Sequence, residues 1–236
     1  MKTVAPDYYN DFRCIAGRCR HTCCEGWEID IDEESVPRFL AEPEIARHIS
    51  SDGTVHIELL EGERCPFLRE DGLCKMIINY GEDMLCGICR DHPRFRNYWS
   101  DRVELGLGLV CEEAGRLILS QKRPLKLIIL SDDGAGGEIP EDEEWLEAYR
   151  ARLLSEIVLE GPEARLMEYL IYRHIPDALY DGLVEERTAF IQSAFEEITA
   201  EWKKTDGSLE SLIECARRFS YDVEYDDEEL KKRIGG

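Results

Sequence analysis

Leu146, Tyr149, Leu153 and Ile157 recur at the three- and four-residue spacing that brings side chains onto one face of a helix. The pattern predicts a helix that ends before Gly161-Pro162, where proline cannot continue it, and a second over 163–175. A third, over 179–203, aligns Leu183, Phe190, Ala194, Ile198 and Trp202 and stops at the polar turn Thr205-Asp206-Gly207-Ser208. A fourth, shorter helix is expected over 209–219. Beyond Tyr221 the chain is acidic and is expected to be loosely ordered.

Upstream the periods are shorter. Residues 54–60 alternate as a strand does, 103–109 alternate again, and a helix is expected over 112–120. Much of residues 1–100 is irregular, with a turn at Glu70-Asp71-Gly72 framed by Cys65 and Cys74. Glycine, aspartate and proline replace apolar periodicity over 131–140, which reads as an exposed linker. The expected organisation is therefore a Cys-rich metal-binding domain over 1–130 and an acidic helical domain over 141–236. The fold class is mainly α (α+β): an irregular first half with short antiparallel strands, followed by a helical bundle.

Charge narrows the partners. The formal charge is −22, with 16 Lys and Arg against 23 Asp and Glu in residues 1–125 and 13 against 28 in residues 126–236. Such a field repels phosphate backbones, so no nucleic-acid partner is expected. The longest apolar runs, 105–110 and 127–130, fall far short of the roughly 20 residues that cross a bilayer, so no membrane partner is expected either. The opening MKTVAPDYYNDFRC has scattered apolar residues rather than the continuous run of a secretory signal, which points to the cytoplasm.

The cysteines then dominate the chemistry. Nine of ten fall within residues 14–111: Cys14, Cys19, Cys23 and Cys24; Cys65 and Cys74; Cys86 and Cys89; and Cys111. In a reducing compartment clustered thiols stay available as metal-ligating thiolates, so an iron–sulfur cluster, or alternatively zinc, is favoured over structural disulfides. Cys86-Gly-Ile-Cys89 is the sharpest pair, because a two-residue gap lets a tight turn aim two sulfurs at one metal. Cys65 and Cys74 suit the two ends of a hairpin. Cys14, Cys19, Cys23 and Cys24 supply a ligand-rich loop in which Arg18 and Arg20 offset thiolate charge. Nine thiolates suffice for two four-ligand sites. His21 and His92 lie beside these cysteines as further candidate ligands, while Cys215 sits on a helical stripe as a packed thiol. A first half so poor in long periodic elements buries little apolar surface, and metal coordination would supply stability it lacks.

Other chemistries lack their motifs. The radical S-adenosylmethionine spacing would need cysteine at position 26, where Gly26 stands. Gly106 and Gly108 lack a third glycine, and there is no phosphate loop, His-Glu-x-x-His helix or nucleophile elbow. No catalytic residue or cofactor pocket can be assigned on sequence alone.

Taken in order, Tyr9-Asn-Asp-Phe-Arg-Cys14, Cys23-Cys24-Glu-Gly-Trp27, Cys65-Pro-Phe-Leu68, Gly72-Leu-Cys74, Gly81 through Cys86, Cys89 with His92-Pro-Arg94, and Cys111-Glu-Glu-Ala114 resemble the flagellin lysine-N-methylase family. That family is related to zinc- or iron-chelating cysteine-cluster domains. The resemblance covers about residues 8–120 and continues more weakly through Tyr169-Leu-Ile-Tyr-Arg173 and Tyr180-Asp-Gly182. It implies S-adenosylmethionine as methyl donor and flagellin, or another lysine-bearing protein, as partner. Tyr80, Tyr98, Tyr169 and Tyr172 are available to orient an amine. Two other readings stand beside it: an iron–sulfur redox or electron-transfer protein, and a zinc-stapled interaction module without catalysis.

Overall fold

Strand β1 (Lys2–Pro6) opens the chain. The computed structural model describes residues 1–235. Its contacts divide into two compact units: Cys14–His92 forms one, and Met1–Arg13 with Pro93–Gly236 forms the other. These boundaries differ from a division into 1–130 and 141–236. The reason is non-local pairing: β1 is a strand of a sheet whose other members come from after residue 93, so the polar seam near 131–140 is a loop within one unit.

Within Cys14–His92 the elements are short. β2 (Ile29–Asp30), α1 (Val36–Ala41), α2 (Pro43–Ala46), β3 (Ile49–Ser50) and β4 (His56–Ile57) come first, followed by α3 (Lys75–Tyr80) and α4 (Gly87–Asp91). The strands form an antiparallel sheet in the order β2-β4-β3, so the alternation over 54–60 yields only a two-residue strand. Its small core gathers Ile29, Phe39, Ile45, Ile57 and Met76, and buries Cys65 and Cys86 with them. The turn framed by Cys65 and Cys74 forms as expected: Leu68 bridges to Cys74, and Gly72 takes the left-handed φ of +74° that the turn requires.

The larger unit continues with β5 (Arg94–Tyr98), β6 (Arg102–Leu107), α5 (Glu112–Leu119) and β7 (Leu127–Asp132). Its sheet runs β5-β6-β1-β7, with β1 parallel to β6 and antiparallel to β7. The helical part comprises α6 (Glu141–Ser155), α7 (Gly161–His174), α8 (Ala178–Asp181), α9 (Val184–Trp202), α10 (Leu209–Phe219) and α11 (Asp227–Ile234). The α+β class holds, with the helices packing Leu166, Leu170, Phe190, Ile198 and Leu212 into one core.

Three local departures have physical causes. Gly161-Pro162 starts α7 rather than merely closing α6, because proline in a first turn forfeits no intrahelical bond. Gly182, at φ +73°, breaks the third expected helix into α8 and α9. The acidic tail is ordered: Val223 and Ile234 are buried, residues Ser220–Glu224 form a π turn, and Asp226 caps α11 by accepting from Glu228 and Glu229 N–H.

Candidate functional site

Three segments of the Cys14–His92 unit bring their thiols into one neighbourhood. The first is Cys23-Cys24, fixed by Trp27 Nε1 donating to Cys23 O (2.7 Å) and by Cys65 N donating to Cys24 O (2.9 Å). The second is the hairpin, closed by Lys75 N to Phe67 O (2.8 Å), which sets Cys65 and Cys74 at its two ends. The third is the turn into α4, where Cys86 occupies the N-cap and Cys89 sits one turn on. Gly87 N donates to Asp32 Oδ2 across 2.6 Å, tying that turn to the residues that begin α1.

The electrostatics of these thiols overlap. Cys65 senses Cys24 and Cys74; Cys74 senses Cys24 and Cys14; Cys89 senses Cys86, Cys24 and Cys65. Cys24 thus neighbours Cys65, Cys74 and Cys89, and Cys86 joins the group through Cys89. A hydrogen bond from Cys23 lowers the Cys24 thiol to about 7, and one from Cys89 lowers Cys86 to about 7. Burial pushes Cys65 up to about 12 and raises Cys74, while sharing its proton with Cys86 holds Cys89 far above the ordinary range. Hydrogen bonding thus favours the thiolate at Cys24 and Cys86, while burial favours the protonated form at Cys65 and Cys74.

The donor chemistry suits a thiolate-bound metal. The side chains do not yet form a coordination polyhedron: among the described residues no group of three or more His, Cys, Asp or Glu is arranged to hold a metal ion. Cys14 and Cys23 are exposed and Cys19 is half-buried. Cys111 lies in the other unit as the N-cap of α5, and Cys215 is half-buried on α10 against that unit's core. His92 stacks on Trp27 with centroids 6.1 Å apart.

Of the four candidate tyrosines, Tyr169 and Tyr172 are engaged structurally and Tyr98 is exposed. Tyr169 Oη donates to Glu224 Oε2 (2.9 Å) and accepts from Leu109 N; Tyr172 Oη donates to Leu105 O (2.9 Å). The recess beside Tyr8, Glu168, Tyr169 and Tyr172 leaves about 10 Å³, room for one water. Two buried ion clusters brace the same unit. Glu104 accepts from Arg102 and from both terminal nitrogens of Arg150, and Glu224 meets His174 Nε2 (2.7 Å) and Arg173 Nε (3.3 Å). Asp32 and Arg38 were not singled out by sequence: a carboxylate whose partner lies 55 positions away leaves no local signal.

Comparison with known proteins adds relatives. A Salmonella choleraesuis (strain SC-B67) protein named lysine-N-methylase is 32% identical over 142 residues, covering 54% of this chain and 35% of that protein. Its Salmonella typhimurium counterpart is 31% identical over the same length. The flagellar biosynthetic protein FliU of Salmonella muenchen is 28% identical over 139 residues, covering 54% of this chain and 82% of FliU. The matched stretch spans about a third of the length of either lysine-N-methylase. No family model and no solved structure matches. The chain therefore resembles the flagellin lysine methylases, as its cysteine motifs implied.

Proposed function

We propose that this protein takes part in N-methylation of lysine side chains on a protein substrate, with the Cys14–His92 unit serving as a thiolate metal centre. The observation that carries this reading is the nearness of Cys24 to Cys65, Cys74 and Cys89, and of Cys89 to Cys86, in a chain similar to lysine-N-methylases. Cys24, Cys65, Cys74, Cys86 and Cys89 would hold the metal, with Cys14, Cys19 and Cys23 on the exposed side. An iron–sulfur cluster is the first choice, since it is built on thiolates and the set offers more than four. Bound, it would supply electron-transfer or Lewis-acid chemistry. S-adenosylmethionine is the proposed methyl donor, flagellin or another lysine-bearing protein the acceptor, and the reducing cytoplasm the setting.

Transfer requires the lysine ε-amine to lose its proton, attack the sulfonium methyl carbon and release the thioether, with the amine held in line. The net charge of −22 favours approach of a lysine-rich segment. The test is transfer of isotopically labelled methyl from S-adenosylmethionine to flagellin by anaerobically prepared protein. Labelled methyl-lysine is expected; none, with metal and donor both bound, would refute the methylation reading. Zinc as a structural staple is the second reading. It is favoured because helices in this unit are no longer than six residues and its core is small.

A further inference from the structure

Between Asp83 and Gly87 the chain that carries Cys86 is gripped at two points by the start of α1. Asp32 Oδ2 accepts from Gly87 N at 2.6 Å, while Asp32 Oδ1 accepts from Ser35 N (2.9 Å) and Ser35 Oγ (2.8 Å). Ser35, fully buried, accepts in turn from Arg38 Nη2 (2.7 Å), and Arg38 Nη1 donates to Asp83 O (2.6 Å). The bonds form one continuous path, Gly87 to Asp32 to Ser35 to Arg38 to Asp83, that closes around Cys86. A five-residue helix such as α4 has almost no stability of its own, so its first turn keeps its shape through such outside contacts. Gly87 fits this role: a Cβ there would lie 3.2 Å from Asp32 Oδ2, and any larger side chain would press on the carboxylate.

We propose that Asp32, coupled through Ser35 to Arg38, is a positioning residue that clamps the Cys86-Gly-Ile-Cys89 turn and holds both sulfurs toward the other thiols. The proposal rests on the thiol-centre reading only for its metal consequence. The clamp itself concerns the apoprotein, where Cys86 is 1% exposed and shielded from reagents.

Asp32→Asn tests it with little change of volume. Ser35 N and Gly87 N donate to different carboxylate oxygens, so an amide keeps an acceptor at only one of the two positions and turns its NH2 toward a donor at the other. In metal-free, reduced protein, iodoacetamide labelling of each cysteine is followed by peptide mass spectrometry. Labelling of Cys86 is expected to rise about tenfold in Asp32→Asn while that of buried Cys65 stays near wild type, and Arg38→Met should act in the same direction. Unchanged labelling of Cys86 would overturn the clamp, and so would an equal rise at Cys65 and Cys86, which would mean general loosening. In metal-loaded protein, release to EDTA should be about tenfold faster in Asp32→Asn and unchanged in Asp30→Asn. Equal release in wild type and Asp32→Asn would also overturn the clamp. Wild-type protein that takes up no metal would refute the metal-centre reading while the labelling result stands independently.

Discussion

Replacing Glu224 with alanine strands Arg173. The Glu224 carboxylate is 1% exposed; it pairs with the 13% exposed Arg173, accepts from His174 Nε2 and accepts from Tyr169 Oη. Burial alone would raise its pKa, yet Arg173 and His174 pull it down to about 2 from an ordinary 4.5. A carboxylate held there is worth about 3 kcal/mol to the folded state at pH 7. Deleting one partner of a buried ion pair costs about 3–5 kcal/mol, so the two routes agree. Glu224 has a depressed pKa, so its contribution is full above about pH 4.5 and disappears toward pH 2. It should shrink to about 1 kcal/mol by pH 3. Burial also lowers the His174 pKa from 6.5, so the folded state resists a proton that the unfolded chain accepts, and stability falls further as pH drops below about 6.5. Urea unfolding in a Trp27→Phe background isolates the larger unit, because Trp99, Trp145 and Trp202 all belong to it. A loss of about 3 kcal/mol on Glu224→Ala at pH 7, shrinking at pH 3, is expected. A loss under about 1 kcal/mol at pH 7, or one that grows on acidification, would refute the reasoning.

Cys86→Ser and Cys89→Ser should each lose bound metal and loosen the Cys14–His92 unit, whereas Cys215→Ser should keep its full metal content; metal analysis with circular dichroism checks both, and equal loss in all three variants would contradict the division of the cysteines. Arg150→Met should destabilise the larger unit by about 3 kcal/mol, since it leaves the fully buried Glu104 with Arg102 alone, and thermal unfolding would register this as a clear drop in Tm. Gly108→Ala should be poorly tolerated, because its Cβ would lie 2.4 Å from Tyr225 Oη, and soluble yield with melting temperature reads that out.

Long amphipathic elements were legible in the sequence because their signal is local. The helix over 209–219 is observed with those bounds, and α5, α6 and α9 fall close to the periodic stretches that indicate them. The sheet was less so. β1 carries Lys2 and Pro6 and shows no alternation, and β7 reads as a short apolar run; each becomes a strand by pairing with residues a hundred or more positions away. The order of the acidic tail was not legible because buried Val223 and Ile234 are too few to produce a period, and Glu224, which ties the tail to Arg173 and His174, has its partners about fifty positions away. At the thiols, the Cys86 and Cys89 spacing was readable, as was the hairpin between Cys65 and Cys74. The nearness of Cys24 to Cys65 and Cys89 and the grip of Asp32 on Gly87 depend on contacts between distant segments, which spacing does not encode.

Quantifying iron, acid-labile sulfide and zinc in anaerobically purified full-length protein, together with its absorption spectrum, tests the thiol centre most directly. Iron with matching sulfide and a broad visible band is the expected result, and stoichiometric zinc without colour would turn the same thiols into a staple. Folded protein free of all three, in which Cys24, Cys65, Cys74, Cys86 and Cys89 react as ordinary thiols, would contradict a metal centre in Cys14–His92.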